Sequence, residues 1–143
     1  MSIQESQDEI IADFEFFGED WDEKYSYIID LGKKLPSMEE QYKTDDNLIK
    51  GCQSRVWMHP EYRDGKIVFT ADSDAAITKG LVAMVIGILS GHTPKEIVDA
   101  DIYFIDAIGL RSHLASTRAN GLLSMLKQIK LYALAFQAKS LQS

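Results

Sequence analysis

Residues 56 to 70 read Val56-Trp57-Met58-His59-Pro60-Glu61-Tyr62-Arg63-Asp64-Gly65-Lys66-Ile67-Val68-Phe69-Thr70. Two β-rich runs flank an Asp-Gly pair, the dipeptide best suited to a two-residue turn with both backbone φ angles positive. The stretch therefore predicts an antiparallel hairpin. Pro60 lacks an N–H, so it breaks the first strand or marks it as an edge. Two strands are marginal in water, so helices must cover them or a third strand must pair.

On the C-terminal side the period changes to that of helices. Asp72-Ser73-Asp74 offers N-cap chemistry for a helix from about Ala75 to Leu89, apolar almost all round from Leu81 and hence central and buried. Gly91 closes it, and Thr93-Pro94-Lys95-Glu96 opens another with a capping box and Pro at the first helical position. Residues 100 to 115 are mixed, with short helical turns or one strand expected. Ser116-Thr117 can cap a last helix over about Arg118 to Lys139, with Leu122, Leu126, Ile129, Ala133 and Phe136 as its inner stripe. Gly80 and Gly121, each inside a helix, read as close-packing positions, because a helical glycine costs about 1 kcal/mol relative to alanine.

On the N-terminal side, Ser6-Gln7-Asp8-Glu9 has capping-box form, followed by Ile10, Phe14 and Phe17, with Gly18 as the end. Asp20 with Glu23 can cap a second helix with Trp21, Tyr25, Ile28 and Leu35 on one face, stopped by Pro36. Residues 37 to 53 read as a long irregular connection with one helical turn near Met38 to Tyr42. Long loops inside compact domains are uncommon and often functional. The expected fold class is α+β: one domain over residues 1–143, helices packed against a small antiparallel β-sheet.

Composition narrows the function. The 143 residues carry a formal charge of −7, against a nucleic-acid binder, which needs clustered Lys and Arg. Nine acids and no bases lie in positions 1 to 23, leaving 13 acids against 15 bases elsewhere. This reads as a solvated acidic face or, more sharply, as an acidic docking surface. The longest strongly apolar run, Leu81 to Leu89, falls far short of the roughly 20 residues of a membrane span. The N-terminus shows no export signal, and one cysteine suits a reducing compartment, so the expected location is cytoplasmic. His59, His92 and His113 lack metal-ligand spacing with that cysteine and read as structural. Trp57 reads as a core anchor.

The single cysteine lies in Lys50-Gly51-Cys52-Gln53-Ser54-Arg55, at the loop-to-hairpin junction. An isolated cysteine is commonly an inert small hydrophobe. Here its flanks resemble a turn, the position suits presentation to a partner, and Lys50 and Arg55 could stabilise a thiolate. The residues themselves leave both readings open.

Asn47-Leu48-Ile49-Lys50-Gly51-Cys52-Gln53-Ser54-Arg55-Val56-Trp57 resembles the signature of the SufE family of sulfur acceptor proteins. The resemblance continues in order through Ala71–Leu81, Gly91–Ile97, Ile108–Leu114 and Thr117–Leu122, and runs from about Tyr25 to Ile129. It implies a SufE/IscU-like fold and a sulfur carrier. Cys52 would take sulfane sulfur as a persulfide from a pyridoxal-phosphate-dependent cysteine desulfurase (SufS-like), stimulating it, and pass the sulfur to an iron–sulfur scaffold. The carrier would need no cofactor and would be a monomer or weak homodimer. The resemblance brings Arg118 close to the cysteine loop, with Thr117 where the family commonly has serine. It also suggests supporting roles for Gly51, Gln53, Asp74 and His113. For Asp74 helix capping is the plainer role. Two alternatives stand beside it: a Cys–His thiol enzyme using Cys52 and His113, and a non-catalytic interaction module in which Cys52 merely packs.

Overall fold

The computed structural model describes residues 1–142. It is mostly helical, with a single two-stranded antiparallel sheet among the described residues. The strands β1 (Val56–Arg63) and β2 (Lys66–Ser73) pair in the register Val56↔Ser73 through Arg63↔Lys66. Asp64 and Gly65 make the turn with φ of 52° and 80°, as the Asp-Gly pair predicts. The Arg63↔Lys66 pair closes the two-residue loop, so hydrogen-bonded pairs alternate from there and Pro60, opposite Phe69, falls at a non-bonded position. Its missing N–H costs the ladder nothing, and the strand runs through it unbroken.

Neither edge of the hairpin is left bare. The Ile49 N–H donates to Val56 O on the β1 side. On the β2 side the Ile67 N–H donates to His92 O, Gly91 N–H to Ile67 O, and Phe69 N–H to the Ser90 hydroxyl. These contacts blunt edges that would otherwise template aggregation.

Helix α1 (Ile3–Phe16) starts four residues earlier than the Ser6 box predicts. Ser2 and Glu5 form the capping box. The reason is Gln7, which is buried inside the helix and cannot be a terminal residue. Its Nε2 donates to Asp101 O and its Oε1 accepts from the Tyr103 and Phe104 N–H groups. Helix α2 (Trp21–Lys33) is capped by Asp20 as expected but ends before Leu35. A residue preceding proline is pushed out of helical geometry, so Pro36 stops the helix at a distance.

The long connection carries two 3₁₀ turns, Glu40–Tyr42 and Asp45–Asn47. Helix α3 (Ala76–Leu89) is the central element, with Leu81, Val82, Met84, Val85, Ile88 and Leu89 all buried. Its N-cap is Ala75, which makes no side-chain cap, so the Asp72-Ser73-Asp74 capping expectation fails. Asp72 and Asp74 are committed elsewhere, as described below, and the Ser73 hydroxyl accepts only from the N–H of Ala75 itself, at 3.4 Å. Helix α4 (Pro94–Asp99) has the expected capping box. Residues 100–115 hold two one-turn helices, α5 (Phe104–Ala107) and α6 (Leu110–His113). Helix α7 (Ser116–Gln142) begins two residues before the expected start, with Ser116 and Thr117 inside it. Its inner stripe includes Met125, which the expected stripe omitted.

The hairpin buries Val56, Met58, Ile67, Phe69 and Ala71 in the common core. Trp57 points to the other face, half-buried, with Lys43 Nζ 5.7 Å from its ring centroid, and so does not anchor the core. Helices α2 and α3 meet at a seam of glycines. A Cβ on Gly80 would lie 2.0 Å from Ile28 O, and one on Gly32 would lie 2.7 Å from Gly80 N. The close-packing reading of Gly80 is thus borne out.

Candidate functional site

The loop carrying Cys52 is pinched at its neck by the Ile49–Val56 hydrogen bond, 2.8 Å long. Just inside the neck, Arg55 is fixed on both sides of its peptide. Its N–H donates to Asp74 Oδ1 at 3.0 Å, and its carbonyl accepts from the Ser73 hydroxyl at 2.8 Å. Asp74 therefore caps the end of the cysteine loop instead of helix α3. Asp72, beside it, is nearly buried and pairs with Lys43 and Lys79, each at 3.3 Å. Burial works to raise the Asp72 carboxyl, but the Ser73 N–H and the two lysines outweigh it and hold the group below its ordinary value.

The tip of the loop lies on the first turns of α7. Gly51 has φ of +91°, a conformation L side chains rarely adopt, and a Cβ there would meet Ser124 Oγ at 2.6 Å. The Gln53 side-chain oxygen accepts from the Thr117 hydroxyl at 3.0 Å. Between these two contacts the Cys52 thiol reaches Gly121 O at 3.5 Å. Gly121 makes the approach possible, since a Cβ there would stand 3.3 Å from Sγ. Gly121 thus borders the cysteine directly, besides permitting close packing.

Cys52 lines a cavity of about 30 Å³, bounded among others by Thr78, Thr117, Arg118, Gly121 and Met125. It exceeds the roughly 10–15 Å³ that one water requires, so there is room for one further heavy atom beside Cys52. Cys52 is half-buried, and burial pushes its thiol pKa up. No effect of Lys50 or Arg55 opposes that shift, so the expectation that they stabilise a thiolate fails in this conformation.

Of the residues singled out in the sequence, Gly51, Gln53, Asp74 and Arg118 gather around this loop, with Arg118 exposed at the cavity. His113 does not line the cavity. Its ring stacks on Trp21 with centroids 3.8 Å apart, its Nδ1 lies 3.0 Å from Gly109 O, and its carbonyl accepts from the Tyr25 hydroxyl. The close-packing reading of Gly121 holds, but its contact with Cys52 and that of Thr117 with Gln53 escaped the sequence reading. Their signal was helical spacing from Arg118, with Gly121 and Met125 on successive turns. Among the described residues no group of three or more His, Cys, Asp or Glu is placed to hold a metal ion, and no helix is long and apolar enough to cross a membrane.

A helix-rich α+β chain that clasps one loop thiol against a long C-terminal helix defines a class of thiol-presenting protein. The chain belongs to the SufE family, whose model, described as an Fe-S metabolism associated domain, matches residues 8–133. An uncharacterized SufE-like protein of Rhizobium meliloti (strain 1021) is 46% identical over 130 residues, covering 87% of this chain and 92% of that protein. An uncharacterized SufE-like protein of Rhizobium etli is 43% identical over 132 residues, covering 87% of each. The solution structure of a hypothetical protein from Thermus thermophilus matches with a TM-score of 0.75 over 96% of this chain and 97% of that one. At 16% identity this is a likeness of fold.

Proposed function

We propose that this protein is a sulfur acceptor and carrier, with Cys52 as the persulfide site. The observation that carries the reading is the setting of its one thiol: half-buried, on a loop held to α7 by a few replaceable contacts, beside space for one more atom. The donor is a pyridoxal-phosphate cysteine desulfurase, and the cofactor chemistry that frees sulfur from cysteine belongs to that partner. The Cys52 thiol loses its proton, and the thiolate attacks the terminal sulfur of the donor's cysteine persulfide. A new S–S bond forms at Cys52, the donor S–S bond breaks, and the donor thiolate leaves and takes up a proton. No net oxidation occurs, so no external oxidant is needed. A second exchange passes the sulfur to an iron–sulfur assembly scaffold.

Burial keeps the resting thiol protonated and weakly nucleophilic, which protects it from oxidation. Docking must lift the loop from α7, freeing Sγ from its burial against the first turns of the helix, whose positive end favours the thiolate. By removing the donor's product the carrier stimulates the desulfurase without turnover of its own. The His113 contacts to Trp21 and Gly109 give no support to a Cys–His enzyme.

Intact-mass spectrometry after incubation with cysteine and a cysteine desulfurase, without reductant, tests the reading. Wild type should gain one or more sulfur atoms and Cys52→Ser none. An unmodified wild type beside an active desulfurase would refute it.

A further inference from the structure

The charges around the cysteine loop depart from the rest of the molecule. Lys33, Lys43, Arg63, Lys79, Lys95 and Arg111 all pair with carboxylates. Lys24 and Lys139 lie over aromatic rings, and Lys130 donates to the Val98 and Ala100 carbonyls. The side-chain cations of Lys50, Arg55, Arg118 and Lys127 have no carboxylate within 4.0 Å among the described residues, although the Arg55 backbone N–H is bonded to Asp74. Two of these flank Cys52 in sequence, Arg118 borders its cavity, and Lys127 lies on the same helix, one turn beyond Ser124. Lys34 and Lys66, also without a carboxylate at that distance, stand singly at a helix end and beside the hairpin turn. In a chain of net charge −7 with 22 acids, four such cations around one loop are a local excess of positive charge.

Two of them face each other across a groove. It lies between residues 46–50 and α7, has a volume of about 390 Å³, and is bounded by Lys50 on one wall and Lys127 on the other. Asp46 is its one carboxylate. Leu131, 48% exposed, and the half-buried Tyr132 give it an apolar end. Leu131 follows Lys127 at i+4, about 6 Å along the helix. The groove adjoins the cysteine loop, because Ser124, which lines it, is the side chain that a Cβ on Gly51 would meet at 2.6 Å.

We propose that this groove is the seat of an acidic segment, ending in an apolar side chain, of the protein that donates sulfur to Cys52. The proposal rests on the sulfur-acceptor reading and specifies its partner's chemistry. Carboxylates of the segment lie between Lys50 and Lys127, and its apolar residue covers Leu131 and Tyr132. Seating it beside Ser124 brings it against Gly51, next to Cys52. The acidic first 23 residues repel such a segment and leave the cysteine face as the favourable approach.

The double variant Lys50→Glu/Lys127→Glu tests this in sulfur transfer from a purified cysteine desulfurase. The KM for the carrier should rise about tenfold at low salt while kcat stays within about twofold, and added salt should narrow the difference. An unchanged KM, with sulfur still transferred, overturns the proposal and spares the sulfur-acceptor reading. A wild type that accepts no sulfur ends both. A second arm needs no partner: the rate of Cys52 exchange with dithiobis(nitrobenzoate), a dianionic disulfide, against cystamine, a dicationic one. The variant should lose rate with the anion and gain it with the cation. Equal slowing with both would mean a damaged loop and would overturn the electrostatic assignment.

Discussion

Glycine makes two close seams in this molecule, and they are not alike. At the α2–α3 seam the nearest atoms facing Gly80 and Gly32 are backbone, with a Cβ on Gly80 only 2.0 Å from Ile28 O and the Ile28 side chain behind it at 2.5 Å. At the α7–loop seam the atoms facing Gly121 and Gly51 include side chains, Cys52 Sγ at 3.3 Å and Ser124 Oγ at 2.6 Å. Side-chain ends can rotate away; a helix backbone cannot. The first seam is surrounded by fully buried Ile28, Leu81, Val82 and Val85, whereas Gly51, Gln53 and Thr117 in the second are exposed. The fold thus puts its irreplaceable packing at the centre and holds the thiol by contacts that yield. The proposed sulfur transfer at a half-buried thiol calls for that division.

The largest effect should come from breaking the rigid seam. Gly80→Ala forces α2 and α3 apart, and the loss should be about 3 kcal/mol, the upper end for overpacking. Equilibrium urea unfolding measures it. A loss below about 1 kcal/mol would mean that the core seam also yields, and the contrast between the two regions would disappear.

Asp72 stands between the seams, tying the long connection through Lys43 and α3 through Lys79 to the base of the cysteine loop. Asp72→Asn should cost about 2 kcal/mol, since it strips two partly exposed lysines of a nearly buried partner. The sign with pH follows from the depressed carboxyl. Its stabilisation is present above the ordinary Asp value and is lost as pH falls below that value and through the lower folded one. The variant's urea midpoint should therefore fall less than wild type's over that range. Parallel curves would show that this hub contributes nothing to acid stability.

What the sequence reveals divides along the same line. The Asp-Gly hairpin, the Thr93 capping box, the stop before Pro36 and the apolar α3 depend on neighbours within a few residues, and each is legible. The loop seam depends on Cys52 meeting Gly121 and Gln53 meeting Thr117, contacts 69 and 64 residues apart, which no local pattern encodes. Asp72-Ser73-Asp74 misleads because one chemistry serves two ends: the groups that cap a helix also bind a distant peptide or lysine. Ser6 misleads because Gln7 has a tertiary role. Lys50 and Arg55 neighbour the thiol in sequence without lowering its pKa. The family resemblance supplies Arg118, which does reach the cavity, and His113, which does not.

The smallest energetic effects should come from the yielding seam, where reactivity, not stability, changes. Gly121→Ala gains helix propensity of about 1 kcal/mol and crowds Sγ by a similar amount, so net stability should stay within about 1 kcal/mol. Thr117→Val removes one exposed hydrogen bond to Gln53, worth about 0.5–1 kcal/mol. Both should loosen the loop and speed iodoacetamide labelling of Cys52 several-fold at neutral pH. Burial raises the wild-type thiol, so its contribution to stability is present below the ordinary thiol pKa and lost as pH rises through the raised value. Lifting the loop reverses the cause, and the midpoint of labelling rate against pH should move down in both variants. If neither rate nor midpoint moves, Thr117 and Gly121 do not restrain the thiol, and its release must depend on Gly51 and Ser124 instead. In that case Ser124→Ala, which leaves the helix intact, should be the substitution that frees it.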